Sequence, residues 1–343
     1  MRVQDPDYQI LRRKSMTPLQ KIESAARLAY KSEDKITKES AAPFCLKLLE
    51  NRHYPVFEFC NLHFKFNGFL DFEDARKEEY KQIVLEFILI AKSFKYLSVT
   101  EKLETTKNGS LQTAVYLSGT VRAFAEACSG IMNVPAKCSA NLIWLTLCNY
   151  YQEYADKEGL PIGIPEVRIS EITWYDKISF SVLEPHDLFR SLNENEQKKH
   201  FMVPVKFICS RAVSHELVRH RPCSFIQASQ RYCNYSHEKF GREVTFITPS
   251  AFFPSNSPEY KIWEESMQKA ESVYMDMLDK GCTPQAARNV LPNSCATEII
   301  VYATLKEWEH IMSLRTSPRA DPAMKQLMLP LNTRLFFSLD CFE

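Results

Sequence analysis

Apolar positions near the start of the chain recur at three- and four-residue intervals. Leu19, Ile22, Ala25, Ala26 and Ala29 fall on one face of a helix over residues 17–30, and Phe44, Leu46, Leu48 and Leu49 repeat the pattern over residues 40–49. The period then drops to two: Cys60, Leu62, Phe64 and Phe66 alternate with polar neighbours, which predicts a half-buried strand. Residues 202–209 form a second extended run, and the two strands are expected to share one sheet. Between them, residues 67–200 read as helical insertion material, with helices over 78–94, 114–127 and 141–154 and polar breaks at 105–110 and 192–199.

The later chain carries clearer punctuation. Ser257 followed by Pro258 sets an N-cap before a proline at the first helical position, and Trp263, Met267, Ala270, Tyr274 and Met277 form an apolar stripe that Gly281 ends. Thr283 and Pro284 open a short helix that stops before Pro292. Thr304, Leu305, Lys306 and Glu307 have the spacing of a capping box, opening a helix through Leu314. No internal repeat or low-complexity tract stands out.

Composition narrows the class. With 343 residues, 45% hydrophobic and 25% charged, the chain is able to bury about three quarters of its unfolded surface, which excludes disorder by composition. A net charge of +1 provides no field for a polyanion, so no nucleic-acid partner is expected. Apolar stretches such as residues 140–148 fall far short of the roughly 20 residues that span a bilayer. The opening residues Met1, Arg2, Val3, Gln4 and Asp5 lack the apolar core of a secretory signal, so a cytoplasmic protein without membrane contact is expected. The eleven cysteines include no C-x-x-C pair and read as free thiols. With 8 glycines and neither G-x-G-x-x-G nor a Walker motif, any nucleotide must be held by side chains.

The densest chemistry lies in residues 219–232, where three arginines, a histidine and two hydroxyls crowd together directly after a helix-like stretch. Arginine's planar fork suits phosphate, and a loop at a helix end adds backbone N–H donors. On charge density alone, an exposed basic loop paired with local glutamates accounts for the cluster about equally well. His215 and Glu216 do not begin a zinc motif: H-E-x-x-H needs its second histidine at i+4, whereas His220 is at i+5, about 140° around the helix. No metal site is expected, and no Ser-His-Asp arrangement surrounds Ser229.

Spacing separates the alternatives. Arg219, His220 and Arg221, followed by Ser224, Ser229, Arg231 and Tyr232, resemble the R-H-R and S-x-x-x-x-S-x-R-Y signature of the flavin-dependent thymidylate synthases, also called the thymidylate synthase complementing protein family. Residues 214–218 look like the approach to that signature in longer members. Ala25, Ala26 and Arg27, together with residues 53–58 from His53 to Glu58, are similar to the family's early block. Residues 287–292 around Arg288, and the pair Leu314 and Arg315, are similar to its two later arginine blocks. The resemblance covers residues 1–66 and 201–330 in matching order.

The resemblance implies an α+β protein, an antiparallel sheet flanked by helices, with a discontinuous domain of residues 1–66 and 201–343 and a mostly helical insertion at 67–200. It implies a homotetramer with shared active sites that converts dUMP to dTMP. Methylenetetrahydrofolate would give the carbon, and FAD reduced by NADPH the hydride. By the same resemblance, Arg315 stabilises charge on the uracil. Arg219, Arg231 and Arg288 clamp the phosphate, with Ser229, Gln230 and Glu216 completing the substrate site. The flavin counterparts are His53, Glu58, Arg219, His220, Arg221, Gln227, Thr304, Lys306 and His310, of which Lys306 and His310 share a helix face. The chain departs from the usual pattern at Phe59, Ile226, Gln227 and Thr304. Cys223 reads as packing rather than catalysis, although its flanking arginines are able to lower its thiol pKa. Two further expectations stand beside the synthase: a related dUMP hydroxymethylase, and a catalytically inactive homologue with a binding or structural role.

Overall fold

A computed structural model describes residues 1–69, 77–132, 140–160 and 178–337. The chain divides into two compact units, one of Met1–Lys14, Ser24–Ile36 and Met202–Glu343, the other of Ser15–Glu23 and Thr37–Phe201. Helix α1 (Pro18–Tyr30) gives its first turns to the second unit and the rest to the first.

The first unit is built on an antiparallel sheet in the order β2 (Asp7–Ile10), β7 (Met202–Ser210), β10 (Ala296–Thr304), β8 (Ser224–Gln227). Two short strands, β1 (Arg2–Gln4) and β9 (Thr245–Ile247), pair in parallel beside it. In β10 the run from Ile299 to Ala303 is buried without a break, as expected of a central strand covered on both faces. Among its described residues, five helices complete the unit: α8 (Arg211–Leu217), α9 (Pro258–Asp279), α10 (Pro284–Ala287), α11 (Leu305–Arg315) and α12 (Pro322–Phe337). The α9 start is as its sequence foretells, with Ser257 Oγ accepting from the Tyr260 amide at 3.1 Å. Trp308 of α11 is wholly buried and donates its indole N–H to the Val203 carbonyl at 3.0 Å, fixing α11 to β7.

The second unit holds another antiparallel sheet, ordered β4 (Leu97–Thr105), β5 (Leu111–Thr120), β3 (Asn61–Phe69), β6 (Ile178–Val182). Its helices are α2 (Ala41–Glu50), α3 (Lys77–Ser93), α4 (Val121–Met132), α5 (Ala140–Lys157), α6 (Pro185–Ser191) and α7 (Glu194–His200). Aromatic side chains dominate its core: Phe64 meets Phe124 edge-on at 4.8 Å, and Phe87 packs against Trp144 at 5.1 Å. Among the described residues no helix is long and apolar enough to cross a membrane.

The two units share a local plan. Strand β3 pairs with β5 from Asn61↔Thr120 to Phe69↔Gln112, and β7 pairs with β10 from Met202↔Thr304 to Ser210↔Ala296, so the first residue of one strand opposes a threonine ending the other. Each threonine caps the helix that follows at once. Thr120 Oγ1 accepts from the Ala123 amide at 3.1 Å and Thr304 Oγ1 from the Glu307 amide at 3.2 Å. A buried apolar residue, then a basic one, follow each cap: Val121 and Arg122, Leu305 and Lys306. Four residues past each cap stands a fully buried aromatic, Phe124 or Trp308.

Several sequence expectations change. The strands expected to share a sheet do not, because β3 is flanked by β5 and β6 while β7 is flanked by β2 and β10. Residues 67–200 are not chiefly a helical insertion into the first unit's sheet: β4, β5 and β6 complete a sheet with β3, and residues 37–66 belong to that second unit. The helix expected over 114–127 starts only at Val121. Ala114 to Leu117 is a solidly buried, β-branched and aromatic run that suits a central strand. The polar break at 192–199 contains α7, whose N-cap Asn193 forms a reciprocal capping box with Glu196, the two bonds being 2.8 and 3.0 Å.

Candidate active site

The basic loop is set by α8 and β8. Ser210 caps α8 through the Val213 amide at 3.3 Å, and the chain leaves the helix through Arg219 and His220, turns at a cis Arg221–Pro222 bond and enters β8. His220 is buried, 7% exposed, while Arg219 and Arg221 on either side are exposed. This alternation points the imidazole inward and the guanidinium groups outward.

Arg315, the last residue of α11, meets that imidazole. Its Nε donates to His220 Nε2 at 2.9 Å, its Nη2 donates to the Glu216 carbonyl at 3.0 Å, and its Nη1 pairs with the Glu216 carboxylate. Three of the five guanidinium N–H donors are thereby committed, leaving two. A histidine that accepts at Nε2 carries its proton at Nδ1 and must be neutral. Burial, then the charge of Arg315, then His310, push its pKa down to about 4, consistent with that geometry. The His310 ring lies edge-on, 6.5 Å from His220.

A second cluster surrounds the phosphate candidates. Arg231 is exposed, lies 5.5 Å from the Tyr232 ring and donates from Nε to Gln285 Oε1 at 3.1 Å. Gln285 sits in α10, which leads directly into Arg288 at the head of the one-turn segment Arg288–Val290. Ser229 is anchored by its amide to the Ala29 carbonyl at 3.0 Å, and its Oγ accepts from the Arg231 amide at 3.3 Å. Gln230 is buried. Gln227, on β8, donates its amide to Ser214 Oγ at 2.9 Å and to Thr297 Oγ1 at 3.0 Å.

Among the described residues, no carboxylate pairs with Arg219, Arg221, Arg231 or Arg288. Four guanidinium groups without counterions, on one loop and the segment hydrogen-bonded to it, are a donor set for a phosphorylated ligand such as a nucleotide or the pyrophosphate of a dinucleotide cofactor. The exposed loop paired with local glutamates is not what forms: of the loop's neighbours, Glu216 is engaged by Arg315 instead.

Other candidates fall differently. Lys306 and His310 are exposed on α11, while the Thr304 hydroxyl is committed to capping that helix. Glu307 has the opposite fate from the one its capping-box spacing suggests: desolvation raises its pKa, and its Oε1 is buried without a partner among the described residues. The Cys223 thiol is not activated by its neighbouring arginines. Burial, with the nearby Glu307 charge, pushes it up. His53 and Glu58 lie in the second unit. His53 precedes the 3₁₀ segment Tyr54–Phe59, and Glu58 Oε1 accepts from Arg122 Nη1 at 2.7 Å. Sequence reasoning passed over Arg122, Gln285 and Thr297, and took Ser214 only as part of the approach to the signature, although all four hold candidate groups in place. Only Arg122 carried a sequence signal, its i,i+4 spacing to Glu126, with Nε to Oε1 at 2.6 Å.

Comparisons with known proteins agree with the sequence signature. The profile of the family described as thymidylate synthase complementing protein matches residues 196–334. A flavin-dependent thymidylate synthase of Pyrococcus furiosus is 30% identical over 176 residues, covering 46% of this chain and 70% of the relative. Its namesake in Geobacter sulfurreducens is 32% identical over 173 residues, covering 50% and 69%. Among solved structures, a UMP/dUMP methylase, PolB, from Streptomyces cacaoi bound with 5-Br dUMP aligns at 19% identity over 44% of this chain and 72% of that one, with a TM-score of 0.34. Identity at this level across more than two thirds of each relative places the chain in the flavin-dependent thymidylate synthase family.

Proposed function

We propose that the chain catalyses the reductive methylation of dUMP to dTMP, with methylenetetrahydrofolate as carbon donor. FAD, when bound and reduced by NADPH, supplies the hydride. The observation that carries this reading is Arg315, held at three donors by Glu216 and a neutral His220, with two N–H groups left over. A guanidinium so fixed meets negative charge developing on a uracil ring as C5 attacks, without having to reorganise first. Glu216 keeps it in place, and His220 accepts one of its protons without adding a competing charge. Arg219, Arg231 and Arg288 take the phosphate, with Ser229 and Gln230 at the turn between them. His220, Arg221, Gln227, Lys306, His310 and Thr304, with His53 and Glu58, are assigned to the flavin. The assembly is a cytoplasmic homotetramer with shared active sites.

The test is direct. The purified protein is expected to show bound-flavin absorbance and, given dUMP, methylenetetrahydrofolate and NADPH, to release a nucleotide with the mass of dTMP. A product with the mass of hydroxymethyl-dUMP would make it the hydroxymethylase. A colourless protein that binds neither flavin nor dUMP would leave it an inactive homologue and end the proposal.

A further inference from the structure

The carboxylate of Glu58 is not free to choose its orientation. It leaves the 3₁₀ segment Tyr54–Phe59, whose Val56, Phe57 and Phe59 are buried and so fix the backbone that carries it. Its Oε1 receives Arg122 Nη1 at 2.7 Å, and the Nε of the same guanidinium donates to Glu126 Oε1 at 2.6 Å, a bond that an amide oxygen at residue 126 would also accept. Arg122 is itself rigidly presented. It is the second residue of α4, whose cap Thr120 and first amide, bonded from Val121 to the Cys60 carbonyl at 3.0 Å, tie the helix start to the chain just beyond Glu58. The side chains are 33% and 27% exposed, so the pair faces the protein's edge and not its core, and Glu58 Oε2 has no partner among the described residues.

We infer that Arg122 is a positioning residue of the cofactor site, fixing Glu58 so that its second oxygen stands ready to accept an N–H from the planar heterocycle of the flavin. The inference rests on the assignment of Glu58 to the cofactor in the proposed function. Its support is the repeated strand–helix joint. Arg122 occupies in the second unit the place that Lys306, another proposed cofactor residue, occupies in the first, two residues past a capping threonine opposite the start of a nine-residue strand. A surface pair made only for stability is worth little and leaves ligand affinity unchanged when it is broken. A pair that orients an acceptor is sensitive to both partners together.

The experiment is flavin titration of the full-length protein stripped of flavin, followed by fluorescence quenching, with R122A, R122K, E58Q, E126Q and the double variant R122A/E58Q. Thermal midpoints are recorded in parallel. R122A and E58Q are each expected to weaken flavin binding about tenfold, the double variant to be no weaker than E58Q, R122K to recover most of the affinity, and E126Q to stay near wild type. If R122A does not fold, R122Q, which keeps the stem, is read in its place. Loss in E58Q with wild-type binding in R122A, or additive losses in the double variant, would overturn the inference and leave the functional proposal standing. Wild-type binding in E58Q would overturn both the Glu58 assignment and the inference, and a wild-type chain that takes up no flavin would overturn the proposed function itself.

Discussion

In the proposed reaction Arg315 is the residue on which the chemistry turns, because its planar fork is needed twice: three N–H donors meet Glu216 and His220, and the other two would meet the substrate. Lysine has the charge without the fork, so it cannot hold both directions at once. Arg315→Lys is expected to lower kcat by about a hundredfold while leaving the flavin absorbance in place; turnover near wild type would remove Arg315 from the reaction. Cys223 makes the opposite case. Its thiol is held in the protonated form by burial and by Glu307 rather than activated by the arginines beside it in sequence, which are exposed. Cys223→Ala should therefore retain activity within about threefold, a change typical of packing alone, and a loss beyond a hundredfold in dTMP formation would assign the thiol a chemical role. The difference between these residues marks what the sequence made legible. Arg315 was recognisable from its block, whereas the partners that fix it depend on α8 and α11 converging from positions almost a hundred residues apart, which no local spacing encodes.

At the level of elements, legibility followed the cost of being wrong. Helices α1, α9 and α11 were readable because a cap, a proline or a 3.6-residue stripe each excludes a strand, and the structure places them where those signals fall. Residues 114–120 carried a short, solidly apolar run, and such a run fits a buried strand as well as a helix; pairing with β3 and β4 decided it. The same β-sheet context determines what Thr304 does. It ends the central strand and caps α11, and α11 carries Lys306, His310 and Arg315, so the cap sets the start of the helix that presents all three. Thr304→Ala is expected to cost about 1 kcal/mol in urea unfolding, and Thr304→Ser to cost only a few tenths. If both substitutions are equally harmless, the hydroxyl does not support the helix and is left to serve the ligand.

For the whole molecule, the division into two units gives acid pH an uneven effect. The second unit encloses a hydrogen-bonded line of neutral groups: His63 Nδ1 to Ser118 Oγ at 2.7 Å, Ser118 Oγ to His200 Nδ1 at 2.7 Å, and His200 Nε2 to Thr100 Oγ1 at 2.8 Å. All four residues are buried. Burial first, then His200 and Lys21, push the His63 pKa down to about 3; burial, opposed by Glu196 and assisted by Lys199, pushes His200 to about 4. Both begin from 6.5 in the unfolded chain, so below that pH the unfolded state binds protons that the native state refuses, and stability falls as pH drops toward 4. Among the described residues the first unit has one histidine shifted in the same way, His220, so two proton-linked histidines act on the second unit against one on the first. Amide hydrogen exchange at pH 7.5 and at pH 5.0, corrected for intrinsic rates, is expected to show β3 and β5 losing more protection than β7 and β10. His63→Phe is expected to blunt that loss, since it removes one of the two protons taken up. Equal loss in both sheets, or no pH dependence in β3 and β5, would mean that the histidine line is not the acid-sensitive element of the fold.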